Sequence, residues 1–539
     1  MNPTRHKLML VVVTFLFFFN FALFAANQEK GIQGPFVIHE THHDVSPPFR
    51  DMIPLPSASL AKRVIPVRPV PLPAGAANPA NASHDPNIQN FVGALAIPAT
   101  TQNFEGTDYP GVDCNCAPPD TNGAVGANNY VQLVNTAVNI FSKTGVKAAG
   151  FPKALKSIWS GFSGPCASTD DGDPVVVYDQ QSSRWILSQF SVSGTPYREC
   201  IAVSTSSDPT GTYNRYEFTF GSNFPDYPKL GVWPDAYYIT YNLFTNTFIG
   251  SEVCAMNRSA MIAGTAASQV CFTTSSSFGS LLPANLDGAT APPTGSAEYV
   301  VNFGSNALRL WRFHVNFTTP SSSTFTGPTT IAVNPFAAAC SGGSCIPQPN
   351  TSNKLDSLAD RLMHRLVYRN FGSTSHESLL VNHSVFVSKS KGKEVDGVRW
   401  YELRNTPPSA TATPVVFQQG TYAPNDGISR WMGSIAMDKL GDIGLGFSAS
   451  SSSNVFPGIR YTGRLTGDPA GQMSQGEAVI INGTGSQTGS LHRWGDYSSI
   501  SLDPVDGCTF WYTTEYITSN GSFNWKTRIG SFKVNSGCN

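Results

Sequence analysis

Three aspartates and a group of arginines are the residues of this chain best suited to chemistry. Asp120, Asp173 and Asp226 each open a segment that runs into a short apolar stretch, with Lys229 just inside the third. Arg361, Arg365, Arg430, Arg493 and Asp496 stand at corresponding places in later segments. Carboxylates facing each other across a pocket can hydrolyse a glycosidic bond, with about 5–5.5 Å between them for retention and about 6.5–9.5 Å for inversion. Clustered arginines grip a carboxylate, sulfate or phosphate through paired N–H donors. Together the two sets suit hydrolysis of an anionic sugar. Asp120, Asp173 and Asp226 are then the candidate acid/base groups. Lys229, Arg361, Arg365, Arg430, Trp431, Arg493, Trp494, Asp496 and Tyr497 are the candidate ligand contacts, and Tyr227 and Tyr497 could act as nucleophile or stacking group. The same residue types also serve structure: aspartate caps turns by accepting backbone N–H groups, and arginine can pair with it to hold neighbouring units together.

Positioning such residues on one axis requires repetition, and the sequence repeats. Arg430 to Asp438 (RWMGSIAMD) and Arg493 to Asp503 (RWGDYSSISLD) each open with Arg-Trp, pass into an alternating apolar segment and close on Asp. Weaker copies begin near Pro119, Asp173, Asp226, Glu298 and Arg361. Each has a polar start, an apolar strand, a turn with Gly, Asp or Asn and a second apolar strand, a pattern recurring about every 60 residues. That length holds four short strands with turns. The pattern predicts an all-β chain with a single β-propeller over residues 91–539, of seven blades, with six or eight as the bounds. Two tandem β-sandwiches are the competing architecture. In a propeller the polar starts converge on the central axis, which predicts a mouth acidic on the side of Asp120, Asp173 and Asp226 and basic on the side of Arg361, Arg430 and Arg493.

The chain has 539 residues, a net charge of -1 and only 13% charged residues, so no basic stripe argues for nucleic acid. Arg5, His6 and Lys7 precede an apolar run to Ala26, which reads as a signal peptide over residues 1–26, with an uncleaved anchor as the alternative. Export to the cell exterior or envelope follows, with no further membrane contact and a monomer expected. Ten cysteines agree with export. Their spacing suggests local pairs Cys166–Cys200, Cys254–Cys271, Cys340–Cys345 and Cys508–Cys538, leaving Cys114 and Cys116 for each other or for a rearranged set. Residues 27–90 are proline-rich and read as a disordered leader. Within it, His39, Glu40, His42, His43 and Asp44 are metal-ligand types without a preformed frame. No metal is expected there, and no cofactor elsewhere; Asp170, Asp171 and Asp173 supply the oxygens of a Ca2+ loop without an EF-hand's spacing.

The segments PPDTNGAVGANNYVQLVN, DYPKLGVWPDAYY, RWMGSIAMD and RWGDYSSISLDPVDGCTFWYTTEY together resemble a widespread group of secreted bacterial proteins. The resemblance covers most of the chain from about residue 112 onward. It implies an exported β-propeller and carries over no catalytic residue. Asp506, Gly507, Thr509 and Phe510 are similar to the Asp-box turn of sialidases, with an inserted residue and Phe for Trp. That turn is peripheral in sialidases, so the likeness bears on fold.

Three readings remain open on sequence. One is an extracellular glycan hydrolase of sialidase-like or other glycosidase type; another is a non-catalytic propeller that binds a glycan or a protein at its rim; the third is a structural component of the envelope or matrix held by the N-terminal leader.

Overall fold

A computed structural model describes residues 31–53, 62–73, 75–76, 85–109, 116–390 and 393–538 of the protein. The signal-peptide reading of residues 1–26 and Cys114 lie outside them. No helix among the described residues is long and apolar enough to cross a membrane.

Among the described residues the strands form seven four-stranded antiparallel units, the arrangement of a β-propeller, numbered here as blades 1 to 7. Blade 1 holds Asn122–Val125, Asn129–Val134, Ala137–Ser142 and Lys153–Ala154. Blades 2 to 6 start on Gly172–Asp179, Phe224–Val232, Leu282–Asp287, Met363–Asn370 and Ile428–Met437. Blade 7 takes Ser499–Leu502, Phe510–Ile517 and Trp525–Phe532 from the C-terminus, and its fourth strand, Gln102–Asp108, from far upstream. Pairing of Phe104 with Ile529 and Asn103 with Gly530 closes the circle. The first strands of blades 4 and 5 also pair with each other in parallel, from Ala284–Leu366 to Asp287–Arg369.

Both faces of a blade are covered by its neighbours, so a strand can be apolar throughout. Val175 and Val177 join the core shared with blade 3, while Val176 joins the core shared with blade 1. Period-two alternation thus sorts a Val-Val-Val run between two interfaces. Trp185, Trp233, Trp311, Trp400, Trp431, Trp494 and Trp525 are fully buried.

The described part of the leader is not disordered, contrary to its composition. Gln33–His39 extends the outer edge of blade 3, His42–Val45 that of blade 2, and Ile88–Gln89 runs parallel to the last strand of blade 5. Outer strands present unpaired backbone groups that recruit such segments, and an edge tolerates proline. Phe49 is fully buried, and Lys153 Nζ donates to Phe49 O at 2.7 Å and Met52 O at 2.6 Å. The histidines of the leader are held individually: His43 stacks on Tyr216 and lies 3.1 Å from Glu40, while His42 meets the Phe162 ring edge-on.

Disulfides join Cys166–Cys200, Cys254–Cys271, Cys340–Cys345 and Cys508–Cys538, the pairs that spacing suggests, and Cys116 is also disulfide-bonded. They fit folding in an oxidising compartment.

Candidate functional site

The first strand of several blades begins with an irregular turn that tips its opening residue toward the axis. Asp120, Asp173, Tyr227 and Met432 all have φ between 47° and 58°, the left-handed region. Pairing registers slip between Gly172 and Val175, between Asp226 and Lys229, and between Trp431 and Ser434. For residues other than glycine such conformations are strained by about 1–3 kcal/mol and persist only where the surroundings fix them.

A hydrogen-bonded chain runs through these positions. Asp120 Oδ1 accepts from Asp496 N at 2.7 Å, and Asp120 Oδ2 accepts from Asn135 Nδ2 at 2.5 Å. Asn135 Oδ1 accepts from Asp173 N at 2.9 Å, and Asp173 Oδ2 accepts from Tyr227 N at 3.1 Å. Asp226 lies beside this chain, partly exposed.

The cations sit among the carboxylates. Lys229 Nζ lies 3.4 Å from the Tyr227 ring centroid and 4.0 Å from that of Tyr497, and donates to Pro228 O at 2.8 Å. Arg361 forks onto Asp360 at 2.7 and 3.0 Å and lies 4.5 Å over the Tyr227 ring. Arg493 binds Asp496 and reaches Asp356 at 3.3 Å. The expected separation into an acidic and a basic side is therefore not found. Asp356, Asp360 and Asp496 bring carboxylates to the arginine side, and Lys229 brings an ammonium to the other.

Burial sets the protonation states. Asp120 is held well above the usual carboxylate range by desolvation, reinforced by the charges of Asp496 and Asp173. Asp173 is pushed up to about 6 by burial and by Asp496, against the pull of Lys229. Asp226 is likewise raised by desolvation and Asp173. Desolvation lowers Lys229 to about 7, against the pull of Asp173 and Asp496.

Three further buried acids and a histidine join the group. Burial raises Glu199 well above its usual range and Glu515 to about 8. Asp356 is raised by burial, and His364 is lowered well below its usual value by burial and by Lys229. Asn135, Glu199, Asp356, Asp360 and Glu515 carry no repeat signal in the sequence, because they come from second or third strands, from the turn between those strands in blade 1, and from the insertion before blade 5.

Two segments cover the mouth. The insertion over residues 344–362 supplies Asp356 and Asp360. The leader crosses at residues 62–73: Arg493 Nε donates to Ile65 O at 2.8 Å, Arg361 Nη2 donates to Arg68 O at 3.1 Å, and Val70 N donates to Asp360 Oδ2 at 3.0 Å. Below the mouth the channel holds a cavity of about 30 Å³, room for about one water, lined in part by Val176, His364, Arg365 and Ser499.

Other expected site residues lie elsewhere. Arg430 faces the outer strands of blade 6, forked onto Asp426 and bound to Glu477 at 2.7 Å. Arg365 sits farther down the axis, paired with Asp287 at 2.8 and 2.5 Å. Trp431 and Trp494 are fully buried with ring centroids 5.4 Å apart, so neither presents a stacking face. Tyr497 is at the axis but buried, donating to Pro174 O at 3.0 Å. The oxygens considered for Ca2+ diverge. Asp171 caps the turn at Val192 and Ser193 with bonds of 2.6 and 2.9 Å, while Asp173 turns to Tyr227. The Asp-box-like turn joins the first two strands of blade 7, with Asp506 accepting from Cys508 N and Thr509 N.

No protein-family model matches the chain, and no curated protein does either. Solved structures similar to it include an α-L-arabinofuranosidase from Fusarium graminearum, at 9% identity and a TM-score of 0.36, spanning 81% of this chain and 99% of that one. An α-L-arabinanase from Penicillium chrysogenum aligns at 8% identity and a TM-score of 0.29 over 84% and 98% of the two chains. A glycosyl hydrolase from Bacteroides ovatus aligns at 9% and 0.27 over 84% and 97%. Likenesses this remote assign neither an activity nor a substrate to the present chain.

Proposed function

We propose that the protein is a glycan-active hydrolase whose working groups are the carboxylates of the axial mouth, held closed by the leader in the state described. The observation that carries this reading is the gathering of Asp120, Asp173 and Asp226 from three consecutive blades around Lys229. Two of these aspartates have positive φ, and the pKa values of all three are raised. Several buried carboxylates around one ammonium are poor cement, because each must lose its hydration or its charge. Groups poised to titrate near neutrality suit proton transfer. In this reading Asp120, protonated, is the general acid, and Asp173, ionised above about pH 6, is the base. Arg361 and Arg493, freed from the leader carbonyls, would hold hydroxyl or carboxylate groups of an acidic sugar.

A non-catalytic glycan- or protein-binding propeller is the second reading. It is favoured by one observation: Asp120 and Asp173 already satisfy backbone N–H groups of neighbouring blades. The test is a panel of neutral, uronyl and sialyl aryl glycosides from pH 4 to 8, run with the full chain and with Val70→Pro, which loses the N–H that ties the leader to Asp360. Turnover that disappears in Asp173→Asn supports the hydrolase. Saturable glycan binding without product in both proteins supports the second reading and sinks the first.

A further inference from the structure

At the face opposite the mouth the first strands of the blades end around a second recess, and a buried arginine there forms no ion pair among the described residues. We propose that this far opening is an oxyanion-binding site, built on Arg369 with Lys439 beside it, that takes one phosphate or one sugar carboxylate. It is separate from the hydrolase reading of the mouth and does not depend on it.

The recess has a volume of about 220 Å³ and is lined in part by Gln180, Asp287, Gly288, Arg369, Lys439 and Asp503. Its carboxylates are already engaged. Asp287 is forked onto Arg365, and Asp503 binds Lys143 at 2.8 Å and the Trp511 indole N–H at 3.2 Å. Asp506 caps its own turn. Arg369 is only 8% exposed and, among the described residues, forms no ion pair. Its guanidinium makes one long hydrogen bond, from Nη1 to Met437 O at 3.4 Å, although it carries five N–H donors. A buried guanidinium that lines a polar recess, with one long hydrogen bond and the Phe371 ring 5.6 Å away, is the arrangement that bidentate oxyanion binding completes.

Gly288 keeps that arrangement open. It has φ +85°, and a Cβ placed on it would stand 3.2 Å from Arg369 Cζ, crowding the guanidinium. Burial lowers the pKa of Arg369, with Asp287 and Asp438 pulling the other way, as expected where counter-charge is near but not in contact. The recess has room for a phosphate or a single uronate ring.

The experiment is calorimetric titration of the full chain with inorganic phosphate and, separately, with glucuronate, at constant ionic strength. Saturable binding of at least one probe is expected, weakened at least tenfold in Arg369→Gln and several-fold in Lys439→Gln. Should Arg369→Gln fail to fold, Lys439→Glu, at an exposed position, is expected to abolish binding instead. Binding of phosphate alone identifies a free or esterified phosphate as the ligand class, and binding of glucuronate alone identifies an acidic sugar. No saturable binding of either probe overturns the proposal. So does binding that survives the Arg369 or Lys439 substitutions but is lost in Arg493→Gln, which would move the ligand to the mouth.

Discussion

Asp120 Oδ1 accepts the backbone N–H of Asp496 at 2.7 Å, which ties the start of blade 1 to the segment leading into blade 7. The same carboxylate accepts from Asn135, whose Nδ2 also donates to Pro118 O at 2.9 Å, so one buried side chain holds two donors. Latch and chemistry can therefore be separated by substitution. Asp120→Ala strands both donors and should cost about 2–4 kcal/mol in denaturant unfolding. Asp120→Asn keeps one carbonyl acceptor and turns an NH2 toward the other donor, so it should cost about 1–2 kcal/mol, less than the alanine, while hydrolysis falls at least a hundredfold. Activity retained in the asparagine variant would leave Asp120 as a latch only.

The Asp173 and Lys229 titrations should together contribute a stability minimum near pH 6–7, superimposed on the fall toward pH 8 contributed by Glu515. Asp173 has a folded pKa of about 6, above its unfolded value, so the folded state holds more protons and stability falls as pH rises from about 4 to 6. Lys229 has a folded pKa of about 7, below its unfolded value, so the unfolded state holds more protons and stability rises from about pH 7 toward 10. Each pKa unit corresponds to about 1.4 kcal/mol. Unfolding midpoints measured across pH should lose the acid limb in Asp173→Asn and the alkaline limb in Lys229→Met. Superimposable profiles for wild type and both variants would refute the coupling.

The repeat and the polar starts were legible in the sequence because period-two alternation and turn residues are local properties. They gave the propeller, the four local disulfides and the axial convergence of Asp120, Asp173, Asp226 and Lys229. The fate of each arginine was not legible. Arg430 and Arg493 open look-alike segments, yet Arg430 lies within a paired strand, opposite Ala449, whereas Arg493 precedes the strand Ser499–Leu502 and is free to bend over the mouth. Pairing begins two residues before Arg430 and six residues after Arg493, so tertiary pairing and not the shared local motif decides where each side chain points. The leader escaped notice for another reason. Its order comes from edges and carbonyl acceptors supplied by distant blades, and composition does not record them.

The two Arg-Trp segments should consequently respond differently to mutation. Arg430→Ala removes a buried guanidinium from the exposed Asp426 and from Glu477, which keeps Arg460 at 2.6 Å, and should cost about 1–3 kcal/mol without altering substrate preference in the remaining folded protein. Arg493→Gln retains donors near Ile65 O and Asp496, so it should unfold within about 2 kcal/mol of wild type while weakening binding of acidic relative to neutral glycans. Equal effects of both substitutions on ligand preference would contradict the placement of Arg430.

The leader is expected to control access to the mouth. Arg493 and Arg361, the arginines of the mouth, each donate to a leader carbonyl, so the backbone at Ile65 and Arg68 occupies the donors that a sugar oxygen would use. Arg68 adds an anchor, with its guanidinium 4.0 Å over the Phe224 ring, and Val70 adds a third through Asp360. Val70→Pro removes one hydrogen bond to a buried carboxylate, worth about 1.5–3 kcal/mol, and Arg68→Ala removes a cation–π contact worth about 1 kcal/mol. Both changes act on a segment outside the blades, so thermal unfolding of the propeller should shift by only a few degrees. Turnover of aryl glycosides should rise about tenfold or more in Val70→Pro and further in the double variant, with KM falling as the donors of Arg361 and Arg493 are released. Turnover that stays at the wild-type level in the double variant, with the propeller intact, would show that the strap does not limit access.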